Sequence, residues 1–145
     1  SGSSFCVDAY FTDHKGAILN GNLETEFMGE PYLSTRVINH TTNWDDRISS
    51  FRMYGSGASK DWYRDHNYAS STAKAIFILY RNNNYSTGSC NYKTWTMSLP
   101  YAATNTWEVP NLKKEKWRGV LCANMNDRTS SLKVIFCKNS YCFQP

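Results

Sequence analysis

Several kinds of site are missing from this sequence, and their absence narrows it before any motif is read. Its three histidines, His14, His40 and His66, stand far apart, and none of its five cysteines falls in a Cys-x-x-Cys pair. A zinc or other transition-metal centre built on nitrogen and sulfur therefore has no motif to rest on. No run of about 18 apolar residues is present, so no segment is suited to cross a bilayer as a helix. An amphipathic helical period is likewise absent over any window of about 12 residues, which leaves strands as the regular element. There is no nucleophile elbow, phosphate-binding glycine loop or metalloprotease helix. Glu24, Glu26, Glu30 and Glu108 are scattered in the manner of solvated glutamates, and a Cys/His dyad competes poorly with disulfide pairing. The expectation is that the chain is not an enzyme.

What is present suggests a single ordered β domain over residues 5–145, with Ser1-Gly2-Ser3-Ser4 set aside as a flexible or processed N-terminus. With 41% hydrophobic and 15% aromatic residues over 145 positions, one sizeable core can be buried. The net charge of +4 comes from dispersed Lys and Arg, except for Lys113-Lys114-Glu115-Lys116 with Arg118. That cluster is interrupted by Glu115 and flanks Trp117, which fits a solvated loop better than a nucleic-acid surface. Cys6, Cys90, Cys122, Cys137 and Cys142 suit a secreted chain with two disulfides and one thiol left over. Cys137 and Cys142 are close enough to pair across Lys138-Asn139-Ser140-Tyr141, although spacing does not fix connectivity. The acceptors Asn39-His40-Thr41 and Asn84-Tyr85-Ser86 are compatible with secretion.

One hexamer occurs twice. Asp45-Asp46-Arg47-Ile48-Ser49-Ser50 recurs as Asn126-Asp127-Arg128-Thr129-Ser130-Ser131, and each copy runs into a strand pattern, Phe51-Arg52-Met53 and Leu132-Lys133-Val134-Ile135-Phe136. Two acidic or amide residues, a two-residue spacer and two hydroxyls place hard oxygen donors on a short loop, as calcium requires. A single copy reads as an ordinary turn. Two copies with matching strands read as an internal repeat.

Along the chain, residues 5–11 and 17–19 predict two strands joined by the polar turn Thr12-Asp13-His14-Lys15-Gly16. Residues 20–42 predict two short strands, around Phe27-Met28 and Tyr32-Leu33. Residues 56–72 are rich in Ser, Gly and Ala yet hold Trp62, Tyr63 and Tyr68, so they are expected to pack on the domain as a long loop. Ala75-Ile76-Phe77-Ile78-Leu79-Tyr80 is the clearest buried strand, and Arg81-Asn82-Asn83-Asn84 with Gly88 turns the chain back. Tyr92 to Leu99 alternates again. Residues 101–118 carry Trp107, Pro110 and Trp117 with little periodicity, the pattern of an insertion or an elaborate loop. The class is all-β, with two repeats of about four strands each.

These residues resemble the βγ-crystallin superfamily, particularly its calcium-binding microbial and non-lens members. Both hexamers fit that family's loop, Asn or Asp twice, any two residues, Ser or Thr, then Ser. Tyr80-Arg81-Asn82-Asn83-Asn84-Tyr85 with Gly88 is similar to its folded hairpin, with the glycine one place late. Tyr63-Arg64-Asp65-His66-Asn67-Tyr68 imitates the same element, and Tyr10 to Gly16 resembles a shortened one. The resemblance implies a sandwich of two Greek keys, about residues 5–55 and 75–137, with long inserted loops, because the hexamers lie 81 residues apart.

It also implies two calcium sites that exchange ligands. Ser49 and the Arg47 carbonyl would share one ion with Asp127, and Ser130 and the Arg128 carbonyl would share the other with Asp46. Further carbonyls would come from near Phe11 and Arg81. Ser50 and Ser131 would tie down the hairpins rather than bind metal. The expected function is a secreted calcium-binding protein stabilised by its metal. The alternative is a secreted effector, toxin or protease inhibitor that binds a target protein through the long aromatic loops, using Trp62, Tyr63, Trp107 and Trp117. Those same tryptophans could instead pack a small satellite core.

Overall fold

The structure, a computed structural model, describes residues 14–20, 23–54, 74–98 and 106–137. Among them are seven strands and two short 3-10 turns, with no α-helix and so no helix long and apolar enough to cross a membrane. The strands are β1 (His14–Asn20), β2 (Leu23–Glu30), β3 (Phe51–Tyr54), β4 (Lys74–Tyr80), β5 (Tyr92–Ser98), β6 (Thr106–Val109) and β7 (Ser131–Cys137). Five of them form one antiparallel sheet in the order β1-β2-β7-β4-β5, while β3 and β6 pair separately.

The order reveals an exchange. Strand β2 precedes the first hexamer but pairs with β7, the strand after the second. Strand β6 precedes the second hexamer but pairs with β3, the strand after the first. The first half thus adds β1 and β2 to the sheet of the second, the second adds β6 to β3, and the hexamers are drawn to a common place between them.

Strand β4 shows why its apolar run is continuous. Ala75, Phe77 and Leu79 join the larger core with Leu132, Val134 and Phe136, whereas Ile76, Ile78 and Tyr80 join a second cluster with Ile135 and Cys137. A strand buried on both faces has no reason to alternate. The larger core reaches the two-stranded sheet through Phe51, whose ring stacks on Phe77 with centroids 4.0 Å apart and meets Trp95 edge-on at 4.9 Å.

Three expectations are corrected. His14, Lys15 and Gly16 form part of β1, paired with Gly29, Met28 and Phe27, and are not a turn. The pairing runs on to Asn20 with Leu23. Leu33 belongs to a 3-10 turn, Leu33–Thr35, rather than a strand. Finally, the aperiodic residues 101–118 contain β6 and a second 3-10 turn, Leu112–Lys114, so this region is partly regular. The strand expected at residues 5–11 and the loop at 56–72 lie outside the described residues.

Candidate metal centre

Both hexamers are introduced in the same way. The side chain of Asn43 accepts from the Asp45 amide at 2.9 Å, and that of Asn124 accepts from the Asn126 amide at 3.1 Å. Each is an Asx turn, in which a short amide side chain replaces a backbone partner. The next residue in each copy is left-handed, Asp46 at φ 54° and Asp127 at φ 55°. Asp and Asn tolerate that region better than other L residues, which gives the repeated Asp a conformational reason as well as a chemical one.

Backbone bonds then cross between the copies. The Asp46 amide donates to the Thr129 carbonyl at 2.9 Å and the Asp127 amide to the Ile48 carbonyl at 3.1 Å. The amide of Leu33 donates to the Ser130 carbonyl at 3.0 Å, and that of Leu112 to the Ser49 carbonyl at 2.9 Å. The two loops are therefore clasped as a pseudo-twofold pair.

The side chains follow the same reciprocity. Ser49 Oγ donates to Asp127 Oδ1 at 3.0 Å, and Ser130 Oγ to Asp46 Oδ1 at 3.5 Å. The carboxyl group of Asp46 is held above its ordinary range by desolvation and then by Asp45, against the Ser130 hydrogen bond and the charges of Arg128 and Arg81. Four residues singled out in the sequence, Asp46, Ser130, Arg128 and Arg81, thus share one neighbourhood. The other neighbourhood holds Ser49 and Asp127 next to Arg47, whose amide donates to the Trp44 carbonyl at 3.2 Å. Its expected hairpin contributor, Phe11, lies outside the described residues.

Each neighbourhood pairs one carboxylate with one hydroxyl, Asp45 adding a second carboxylate near Asp46, and no group of three or more His, Cys, Asp or Glu gathers among the described residues. Such a donor set is all oxygen with a low charge. It fits calcium completed by carbonyls and water, and does not fit a nitrogen and sulfur metal.

The hairpin Tyr80-Arg81-Asn82-Asn83-Asn84-Tyr85 folds against the second hexamer. Ser131 Oγ donates to the Asn82 carbonyl at 2.6 Å and accepts from the Tyr85 amide at 3.2 Å. Asn84 and Tyr85 are both left-handed, and the Asn84 amide donates to the Pro31 carbonyl at 2.7 Å. Ser131 is fully buried whereas Ser50 is exposed, so the two final serines are not equivalent. The rival hairpin beginning at Tyr63 lies outside the described residues.

The partner-binding expectation is corrected at Trp117. Its side chain is 2% exposed and packed in the larger core with Leu112, Cys122 and Met125, so it cannot anchor a target protein. Trp107 stands on β6 opposite Met53, while Trp62 and Tyr63 lie outside the described residues.

Some features were not specified by the sequence. Cys90 and Cys122 form a disulfide with Cα atoms 5.4 Å apart, and Cys137 is disulfide-bonded to a partner outside the described residues. Buried Glu30 pairs with Arg36. The Lys133 ammonium lies 4.2 Å from the Tyr85 ring centroid and 4.9 Å from that of Phe27. No local pattern marks the Cys90–Cys122 pairing or the Lys133 contacts, because they join residues distant in sequence. Comparison with protein-family models, with curated proteins and with solved structures returns no match, so the reading of these residues rests on their own chemistry and geometry.

Proposed function

We propose that this chain is a secreted calcium-binding protein of βγ-crystallin-like build, with two ions bound between its paired hexamers. One site would use Asp127, Ser49 and the Arg47 carbonyl, with a carbonyl from near Phe11. The other would use Asp46, Ser130 and the carbonyls of Arg128 and Arg81. The observation that carries the reading is the reciprocal pairing of Ser49 with Asp127 and of Asp46 with Ser130. Support for the crystallin-like build comes from the strand exchange of β2 and β6 and from Ser131 bonded to the hairpin. The disulfide of Cys90 with Cys122 supports secretion.

With one carboxylate per site, affinity belongs in the weak extracellular range, roughly 10⁻⁶ to 10⁻³ M. The crossing ligands make each ion a bridge between halves. Saturation at about 100 times the dissociation constant adds about 2.7 kcal/mol per site to the stability of the native state. The test is calorimetric titration of the chelated protein with calcium, alongside melting temperature. Two binding events and a rise in melting temperature are expected; no heat and no shift at millimolar calcium would refute the proposal.

A further inference from the structure

The most exposed apolar side chains among the described residues sit together on one loop. Val120 is 83% exposed and Leu121 99%, and both belong to the loop closed by the bridge between Lys116 and Asn124. In the first half the corresponding loop, closed by Val37 and Asn43, is two residues shorter. It is tied by Asn39, whose side chain accepts from the amides of Thr41 and Thr42 at 3.0 and 3.1 Å. The fold is thus content with the shorter loop, and the extra length presents Val120-Leu121.

The loop is also held rigid. The Cys90–Cys122 disulfide staples it to the neighbouring turn, and the Cys90 amide donates to the Arg118 carbonyl at 2.7 Å. Leu121 is left-handed at φ 57° and Gly119 lies at φ 140°. A leucine in that region is uncommon, and here no buried contact compensates for it.

The chain leading into the tip is basic. Lys113, Lys114, Lys116 and Arg118 are all exposed. The one acid of that run, Glu115, accepts from the Trp95 indole N–H at 3.2 Å. Arg118 lies over the Tyr92 ring, 5.5 Å from its centroid, and keeps its exposure.

We propose that Val120-Leu121 is a membrane-docking tip that seats on an anionic phospholipid surface, the two aliphatic side chains entering the interface while the four basic residues meet lipid phosphates. An exposed aliphatic pair preceded by exposed basic residues is the composition of an interfacial anchor. The backbone at Gly119 and Leu121 is not extended, which argues against insertion as a strand into a protease cleft. Aliphatic side chains offer no stacking platform for nucleic-acid bases. With one short tip and no lipid chain, attachment is weak and reversible, increasing with anionic lipid content and falling with salt.

The experiment is co-sedimentation of the full chain with vesicles, run in a calcium chelator so that its result is independent of the metal sites. Phosphatidylcholine vesicles containing phosphatidylserine are compared with pure phosphatidylcholine. Binding is expected only to the anionic vesicles and should be released by added salt. Leu121→Asn removes the aliphatic group with a residue at home in the left-handed region. It is expected to weaken binding about tenfold or more at unchanged melting temperature. Lys113→Gln with Lys116→Gln should weaken binding to anionic vesicles as well. No sedimentation with anionic vesicles, equal sedimentation with both kinds, or undiminished binding by Leu121→Asn would overturn the proposal.

Discussion

Ser130 reaches across 84 residues of chain to donate its hydroxyl to Asp46 at 3.5 Å, and Ser49 reaches across 78 to Asp127 at 3.0 Å. Neither pair is a neighbour along a strand. They meet because β2 pairs with β7 and β6 with β3, so the loop after each of these strands lies against the loop of the other half. A serine and an acid of the same hexamer therefore serve different neighbourhoods, which gives the metal reading a specific consequence.

Asp46→Ala should abolish the site that contains Ser130 and leave the one that contains Ser49. Calorimetry is expected to give two ions for the wild type and one for the variant. Ser130→Ala should act on the same ion, so the double variant should lose no more than Asp46→Ala alone. Because Asp46 sits at φ 54°, alanine also adds strain of about 1–2 kcal/mol. Asp46→Asn keeps the backbone at ease and should weaken the site through loss of charge alone. Two ions still bound to Asp46→Ala would remove this residue from the metal site.

The pH dependence of Asp46 follows from the direction of its shift. Desolvation and Asp45 hold its pKa above the ordinary 3.8, so the folded metal-free chain binds this proton more tightly than the unfolded chain does. Its contribution to stability is fully present below pH 3.8 and is lost as pH rises through the raised folded value. Calcium has the opposite requirement, because it needs the ionised carboxylate. Calcium affinity should therefore climb with pH over that window, and binding should release protons. Titrations in buffers of different ionisation enthalpy measure that release, which Asp46→Asn should reduce.

The parts of this molecule legible in sequence are those written locally. Asp46 and Asp127 combine a ligand oxygen with tolerance of a left-handed backbone, so both roles leave their mark on one hexamer. The run Ala75 to Tyr80 announces a strand buried on both faces, because each residue has an apolar neighbour. The misreadings arise where packing overrides a local pattern. His14-Lys15-Gly16 has turn composition, yet β2 offers a register that absorbs it into a strand. Trp117 follows a basic run that suggests a surface loop, while its ring is captured by the core. The Cys90–Cys122 pairing was illegible because it depends on two loops meeting, which no spacing encodes.

Ser131→Ala tests the tie between the second hexamer and the hairpin. Ser131 is 0% exposed and bonds both the Asn82 carbonyl and the Tyr85 amide. Alanine leaves both groups without this partner, at a cost of about 1–3 kcal/mol. The expected readouts are a lower unfolding midpoint in denaturant and faster amide exchange at Tyr85. Exposed Ser50→Ala should change stability by less than about 0.5 kcal/mol. Equal effects of the two substitutions would remove the asymmetry between the halves.

Gly29 lies beneath that same hairpin and has no room for a side chain. A Cβ there would come within 2.6 Å of the Tyr85 hydroxyl oxygen and 2.7 Å of the Leu132 carbonyl oxygen. The tyrosine tip can yield, but the carbonyl belongs to β7, to which β2 is paired through Glu30 and Leu132. Gly29→Ala should therefore push β2 from β7 as well as lift the hairpin, destabilising the domain by about 1–3 kcal/mol. Adding Tyr85→Phe removes one of the two close contacts, so the double variant should recover only part of the lost melting temperature. Full recovery would assign the strain to the tyrosine alone, and no loss in Gly29→Ala would mean that the two strands can part without cost.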